Sequence, residues 1–184
     1  MPKSGTWVQR WRVPLGFLCG ALFIWFARPS WRSLAVGGLV ALCGLALRAW
    51  SAGHIRKNAQ LATSGPYAYT RNPLYLGSFL LGVGFTIASG QPLLAIPFAA
   101  LFLGIYFPVM SVEARDLAGL FGEDYRKYAS AVPLFFPRLS PYRDEKTRGL
   151  KFDASLYLRY REYRAALGLL VALGLLALKA VLIK

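Results

Sequence analysis

The stretch PLLAIPFAALFLGIYFPVMSV, residues 92–112, runs for 21 positions without a charged residue. About 20 consecutive apolar residues are what a helix needs to cross the hydrocarbon core of a bilayer. The run shows no alternation of apolar and polar positions, so it does not read as a barrel strand. Working outward, residues 74–89 form a second uncharged run, separated from the first only by Gly90 and Gln91. Residues 33–49 carry only Arg48, near their end, and residues 13–27 carry no charge. Residues 165–183 carry only Lys179, whose long stem lets its ammonium snorkel to the interface. The run 13–27 is short, and flanking residues complete it. As a signal-peptide core it would need a small residue where Trp25 stands, so it reads as a retained helix. The expected fold is therefore all-α: a polytopic integral membrane bundle of about five transmembrane helices, in one domain spanning residues 1–184.

Composition points the same way. Apolar residues make up 56% of the 184-residue chain, charged residues 16%, and the mean hydropathy is +0.42. Soluble domains carry about 25% charge. Such hydrophobicity excludes disorder. Two cysteines, Cys19 and Cys43, both within apolar runs, exclude a disulfide scaffold, and with the single His54 they argue against a Cys/His metal centre. The net charge of +14 does not read as nucleic-acid binding. The 22 basic residues punctuate apolar stretches instead of covering a polar domain.

Those basic residues orient the chain. With the N-terminus inside, eighteen Lys and Arg fall on the cytoplasmic side, against four (Arg28, Arg32, Lys179 and Lys184) on the other. Segments 50–73 and 113–164 are then cytoplasmic, and the opposite side has only two tight turns, at 28–32 and 89–91. A functional site is expected where the chain spends its residues, on the cytoplasmic face of an inner, cell membrane. No internal repeat or low-complexity tract is visible.

Three clusters carry candidate chemistry. The first, GPYAYTRNPLYLG (65–77), starts the third span, with Asn72 in a favoured cap position and Pro73 in a favoured first helical position. Arg71 beside Tyr67, Tyr69 and Tyr75 adds an anion-attracting charge at a helix N-terminus, with aromatic faces suited to a cation. The second joins EARDL (113–117) to FGEDYRKY (121–128). All eight acidic residues lie at or after Glu113. Glu113, Asp116, Leu117 and Leu120 share one helical face, and Gly122 reads as a helix end. The alternative is an interfacial amphipathic segment anchored by Tyr, Arg and Lys. The third, VPLFFP (132–137), is too rich in proline for a straight helix and reads as an extended re-entry to the membrane. Among weaker signals, Gly16 and Gly20, and likewise Gly82 and Gly84, read as helix-packing positions. His54 reads as a solvated interface residue.

In this order the clusters resemble the isoprenylcysteine carboxyl methyltransferase family and its wider relatives, the membrane phospholipid methyltransferases. The resemblance is specific over residues 61–138 and topological in the flanking spans. It implies a small helical membrane enzyme that takes S-adenosylmethionine on its cytoplasmic side and methylates a lipid or lipidated acceptor. It further implies a cofactor site at Tyr67, Asn72, Pro73, Tyr75, Gly77, Glu113, Tyr125 and Pro133. By the same resemblance Arg71 and Glu113 are the catalytic residues. Glu113 would hold the cofactor's amino group and Arg71 a carboxylate. The chain departs from the family pattern at Asn72, where R-H-P is common, and at Ala114, where a second Glu is common.

Two other readings compete. A steroid-reductase-like membrane enzyme would use NADPH, whose phosphate suits the basic residues of 113–164, but Glu113 beside an apolar stretch suits a cationic cofactor better. A non-enzymatic protein binding anionic lipid would use the same basic loops without needing the fixed spacing of 65–77.

Overall fold

The structure is a computed structural model that describes residues 7–56, 60–147 and 149–183. Lys3, Lys57, Arg148 and Lys184, which enter the charge count, lie outside the described residues, as do the side chains of Arg10 and Arg12. Among the described residues seven α-helices follow one another: α1 (Trp7–Phe26), α2 (Trp31–Ala52), α3 (Pro73–Ala88), α4 (Ala95–Leu101), α5 (Phe107–Ala131), α6 (Ala154–Arg159) and α7 (Tyr163–Leu182). No strand occurs among the described residues. Three stretches, Trp31–Ala52, Pro92–Ala131 and Tyr163–Leu182, are long and apolar enough to cross a membrane. Pro14–Phe26 and Pro73–Ala88 are shorter apolar helices. The protein is an integral membrane helical bundle. Large side chains such as Trp25, Leu39 and Leu170 are exposed on its outside, as expected where the solvent is lipid.

Local chemistry sets the helix ends. Ser30 and Ser33 form a reciprocal capping box at the start of α2, each hydroxyl accepting from the other's backbone N–H. Pro108 has no N–H to donate to the Gly104 carbonyl, and the chain relaxes there through a π turn over Phe102–Tyr106 that joins α4 to α5. The helix does not stop at Glu113. It runs on to a break at Gly122, whose φ of 54° and ψ of −122° suit a residue without Cβ, and then resumes as far as Ala131.

Helices α2 and α3 pack closely through glycine. A Cβ on Gly84 would lie 2.5 Å from the Gly37 carbonyl oxygen and the Ala41 nitrogen. One on Gly44 would lie 2.6 Å from the Gly77 carbonyl oxygen. Side chains there would force the backbones apart. Gly16 and Gly20 of α1 differ from the packing role read in their spacing: a Cβ on either meets nothing within 4 Å.

Helix α7 is fastened at both ends. Near its start, Glu162 pairs with Arg48 of α2, whose Nη2 lies 2.7 Å from Oε2. Arg48 also donates Nε and Nη2 to the carboxylate at 3.0 Å and Nη1 to the Ser78 hydroxyl. Arg161, just before, has a φ of 57°, and among the described residues it is the one non-glycine in the left-handed region. That turn aims Glu162 into the bundle. At the far end Lys179 turns its ammonium to the last turn of α1. Its Nζ donates to the Ile24 and Trp25 carbonyls of α1 at 2.7 and 2.6 Å, serving the unpaired carbonyls of a helix C-terminus.

Candidate functional site

The segment before α3 is sewn to the segment after α5. The backbone N–H of Arg71 donates to the Pro133 carbonyl at 3.0 Å, that of Arg138 to Tyr69 at 2.9 Å, and that of Tyr142 to Ala68 at 2.8 Å. The Thr70 hydroxyl donates to the Phe135 carbonyl at 2.9 Å, and the Tyr128 hydroxyl to the Tyr67 carbonyl at 2.7 Å. Asn72 occupies the cap position of α3, but its side chain does not cap. Its Nδ2 donates to the Leu134 carbonyl at 2.9 Å, which adds another stitch. The third sequence cluster thus supplies carbonyls that hold the first in place.

These stitches frame a cavity of about 1410 Å³, above the ~300–1,000 Å³ of a pocket for one drug-sized ligand. Its polar end carries Tyr67, Arg71, Asn72, Tyr75, Glu113 and Tyr125. Its apolar end lies between α1 and α7, where Phe17 and Ile24 face Leu167 and Val171 around the open positions of Gly16, Gly20 and Gly168. Of the residues singled out from sequence, Pro73 also reaches the wall, whereas Gly77 and Pro133 do not. Gly77 packs against Arg48 and Gly44, and Pro133 acts through its carbonyl on Arg71. His54, expected in solvent, is buried, with Nδ1 2.9 Å from the Trp50 carbonyl oxygen and its ring against Phe152.

The polar groups at this end are underused. Arg71 donates Nη1 to the Tyr125 hydroxyl at 3.2 Å, and its guanidinium carbon lies 6.0 Å from that ring's centre, while its Nε is buried without a partner. Glu113 accepts from the Tyr75 hydroxyl at 2.8 Å. Among the described residues neither Arg71 nor Glu113 forms an ion pair. The Tyr67 hydroxyl is buried and unpartnered. Burial pushes its phenol far up from the ordinary value, with Tyr128, Glu162 and Glu113 adding to the shift, so it stays protonated. A buried donor left unmade costs about 1–3 kcal/mol, which a ligand would relieve. A cation and an anion exposed to one cavity, and not spent on each other, complement a zwitterion.

Sequence reasoning missed Arg48 and Glu162, which also line the cavity. The signal was a lone arginine inside an apolar run, which demands a partner. That partner is 114 positions away.

The fold and cavity define a polytopic membrane protein with a large cavity at one end of the bundle. The chain belongs to the phospholipid methyltransferase family, whose model matches residues 11–124. It is 39% identical over 149 residues to the cobalt-zinc-cadmium resistance protein CzcN of Cupriavidus metallidurans, covering 74% of this chain and 66% of that protein. It is 25% identical over 126 residues to the protein-S-isoprenylcysteine O-methyltransferase of Schizosaccharomyces pombe, covering 66% and 53%. Over 71 residues it is 34% identical to methanethiol S-methyltransferase 1 of Bradyrhizobium diazoefficiens, covering 39% and 24%. The chain thus spans about two thirds of the first relative, half of the second and a quarter of the third. No solved structure matches it.

Proposed function

We propose that the protein transfers a methyl group from S-adenosylmethionine to a lipid or lipidated acceptor held in the membrane. The observation that carries this reading is the pair Arg71 and Glu113, unpaired with each other on one cavity wall. When bound, the cofactor supplies a methyl group already activated on a sulfonium. This chain's residues bind, orient and exclude water. Arg71 would receive the carboxylate of the cofactor's amino-acid end, and its orphaned Nε fits a two-pronged contact. Glu113, steadied by Tyr75, would receive the ammonium. Tyr67, Asn72, Pro73 and Tyr125 line the same end and would contact the remainder. The apolar end between α1 and α7 would admit the acceptor from the bilayer.

Charge favours this cofactor over NADPH. Among the described residues, three acidic side chains (Glu113, Asp116 and Glu162) and three basic ones (Arg48, Arg71 and Arg164) line the cavity. One of those three, Arg48, is already held by Glu162. With that pair set aside, Glu113 and Asp116 balance Arg71 and Arg164, a near-neutral wall that suits a zwitterion and offers no cluster of cations to a dinucleotide's phosphates. The positive-inside count orients this end toward the cytoplasm, in the cell membrane.

The test is transfer of a labelled methyl group from S-adenosylmethionine into lipids of membranes containing the protein. Wild type should incorporate label and Glu113→Gln should incorporate far less. Equal incorporation by the two proteins would remove Glu113 from the site.

A further inference from the structure

Helix α6 and the start of α7 meet in a tight elbow. The Tyr160 N–H donates to the Leu156 carbonyl at 2.9 Å, that of Arg161 to Leu158 at 3.0 Å, and that of Arg164 to Arg161 at 3.0 Å. Helix α7 is long and apolar enough to cross the membrane, which places the elbow just before it at the level of the lipid head groups. Lys151, Arg159 and Arg161 are exposed here, and among the described residues none of the three forms an ion pair. The two carboxylates of the segment are committed elsewhere. Asp153 caps α6 and lies 4.0 Å from Arg56, and Glu162 holds Arg48. Phe152, Leu158 and Tyr163 leave apolar surface exposed along the same stretch. Cations interleaved with aromatic and leucine side chains are the composition of a segment that lies in a membrane interface. Arg161 adds an observation of a different kind. Its φ of 57° suits glycine and strains an arginine, and no ion pair among the described residues offsets that strain.

We infer that this elbow binds anionic phospholipid of the surrounding membrane. Lys151, Arg159 and Arg161 meet the phosphates, and Phe152, Leu158 and Tyr163 enter the acyl boundary beside them. A guanidinium takes a phosphate through two parallel hydrogen bonds, and the negative surface of a leaflet rich in anionic lipid attracts cations held close to it. A soluble polyanion such as a nucleic acid fits this surface poorly, because it would leave the interleaved apolar side chains in water. Glu162 runs from the same elbow to Arg48 on the cavity wall, so a lipid bound here also fastens α7 to α2. The inference is independent of the methyl-transfer reading, since it concerns the outside of the bundle and not the cavity.

The probe is phosphatidylglycerol carrying a photoreactive diazirine beside its head group, with phosphatidylcholine carrying the same group as the reference. Each is added in trace amount to the full chain in phosphatidylcholine nanodiscs. After illumination, peptide mass spectrometry should find phosphatidylglycerol on residues 151–164 well above the phosphatidylcholine level, and inorganic phosphate should not displace it. Replacing Lys151, Arg159 and Arg161 together by Gln should abolish the preference, at about fivefold for each cation lost. Replacing Arg115, Lys127 and Arg143 by Gln removes equal charge from other exposed positions and should leave the preference in place. Arg161→Gly separates lipid binding from architecture, and it serves alone if the first triple variant does not fold. Glycine is at ease at this φ, so the melting temperature in neutral detergent should not fall, whereas phosphatidylglycerol labelling should. Equal labelling by the two lipids, displacement by inorganic phosphate, or the same loss in both triple variants would overturn the inference. So would undiminished labelling of Arg161→Gly, or a collapse of its melting temperature, which would make Arg161 structural.

Discussion

Arg71 meets the cavity with a guanidinium that has one hydrogen bond, to Tyr125, and a buried Nε with none. If it only preceded the helix, its charge beside the positive end of α3 would be mildly unfavourable. If it receives a carboxylate, its planar fork matters and a lysine is a poor replacement. Arg71→Lys should therefore reduce methyl transfer sharply while lowering the melting temperature in detergent by no more than about 3 °C, roughly 1 kcal/mol for a chain of this size. Full activity would return Arg71 to a plain helix start, and a collapse in stability would make it structural. Tyr67 offers a second test at this scale. Its folded pKa lies above its unfolded one, so the stability it contributes is present below about pH 10 and lost as pH rises beyond that. The melting temperature of Tyr67→Phe should fall less steeply than wild type above that pH, and identical slopes would contradict the burial argument.

Between helices, two contacts decide the shape of the bundle. Arg48 and Glu162 tie α2 and α3 to the start of α7, and the side chains are 21% and 12% exposed. Removing one partner of such a buried pair strands the other and costs about 3–5 kcal/mol, so Arg48→Ala should lower the unfolding midpoint substantially. An unchanged midpoint would show that the pair is solvated. Gly84→Leu should likewise part α2 from α3, whereas Gly16→Ala, facing open space, should be neutral. The two glycines look alike in sequence, each one of a spaced pair inside an apolar run. Spacing reports which residues share a face, not whether another helix comes to meet that face, so Gly84 was legible and Gly16 was not. The same limit explains the rest. The apolar runs were legible because bilayer thickness sets their length. Gly122 was legible because a helix break at positive φ wants glycine. The partner of Arg48 was not, since nothing local encodes a contact 114 positions away. Asn72 spent its side chain on Leu134, a contact that cap statistics do not contain.

For the whole molecule, the segments 50–73 and 113–164 both contribute to one end of the bundle, where the polar wall lies. The turns at Arg28 and Ser89 meet at the other, joined by a backbone hydrogen bond of 2.7 Å. Reporter fusions at residues 60, 90 and 140 should read cytoplasmic, outside and cytoplasmic, and a fusion at 140 reading outside would invert the proposed orientation. The central claim is that this end holds a methyl donor by its zwitterionic amino-acid end. It is tested most directly by calorimetric titration of the detergent-purified protein with S-adenosylhomocysteine, with NADPH in parallel, for wild type and Glu113→Gln. The predicted result is saturable binding of S-adenosylhomocysteine, weakened by about ten- to a hundredfold in Glu113→Gln, as the loss of one charge-assisted contact requires, and no binding of NADPH. Saturable binding of NADPH with none of S-adenosylhomocysteine would contradict it.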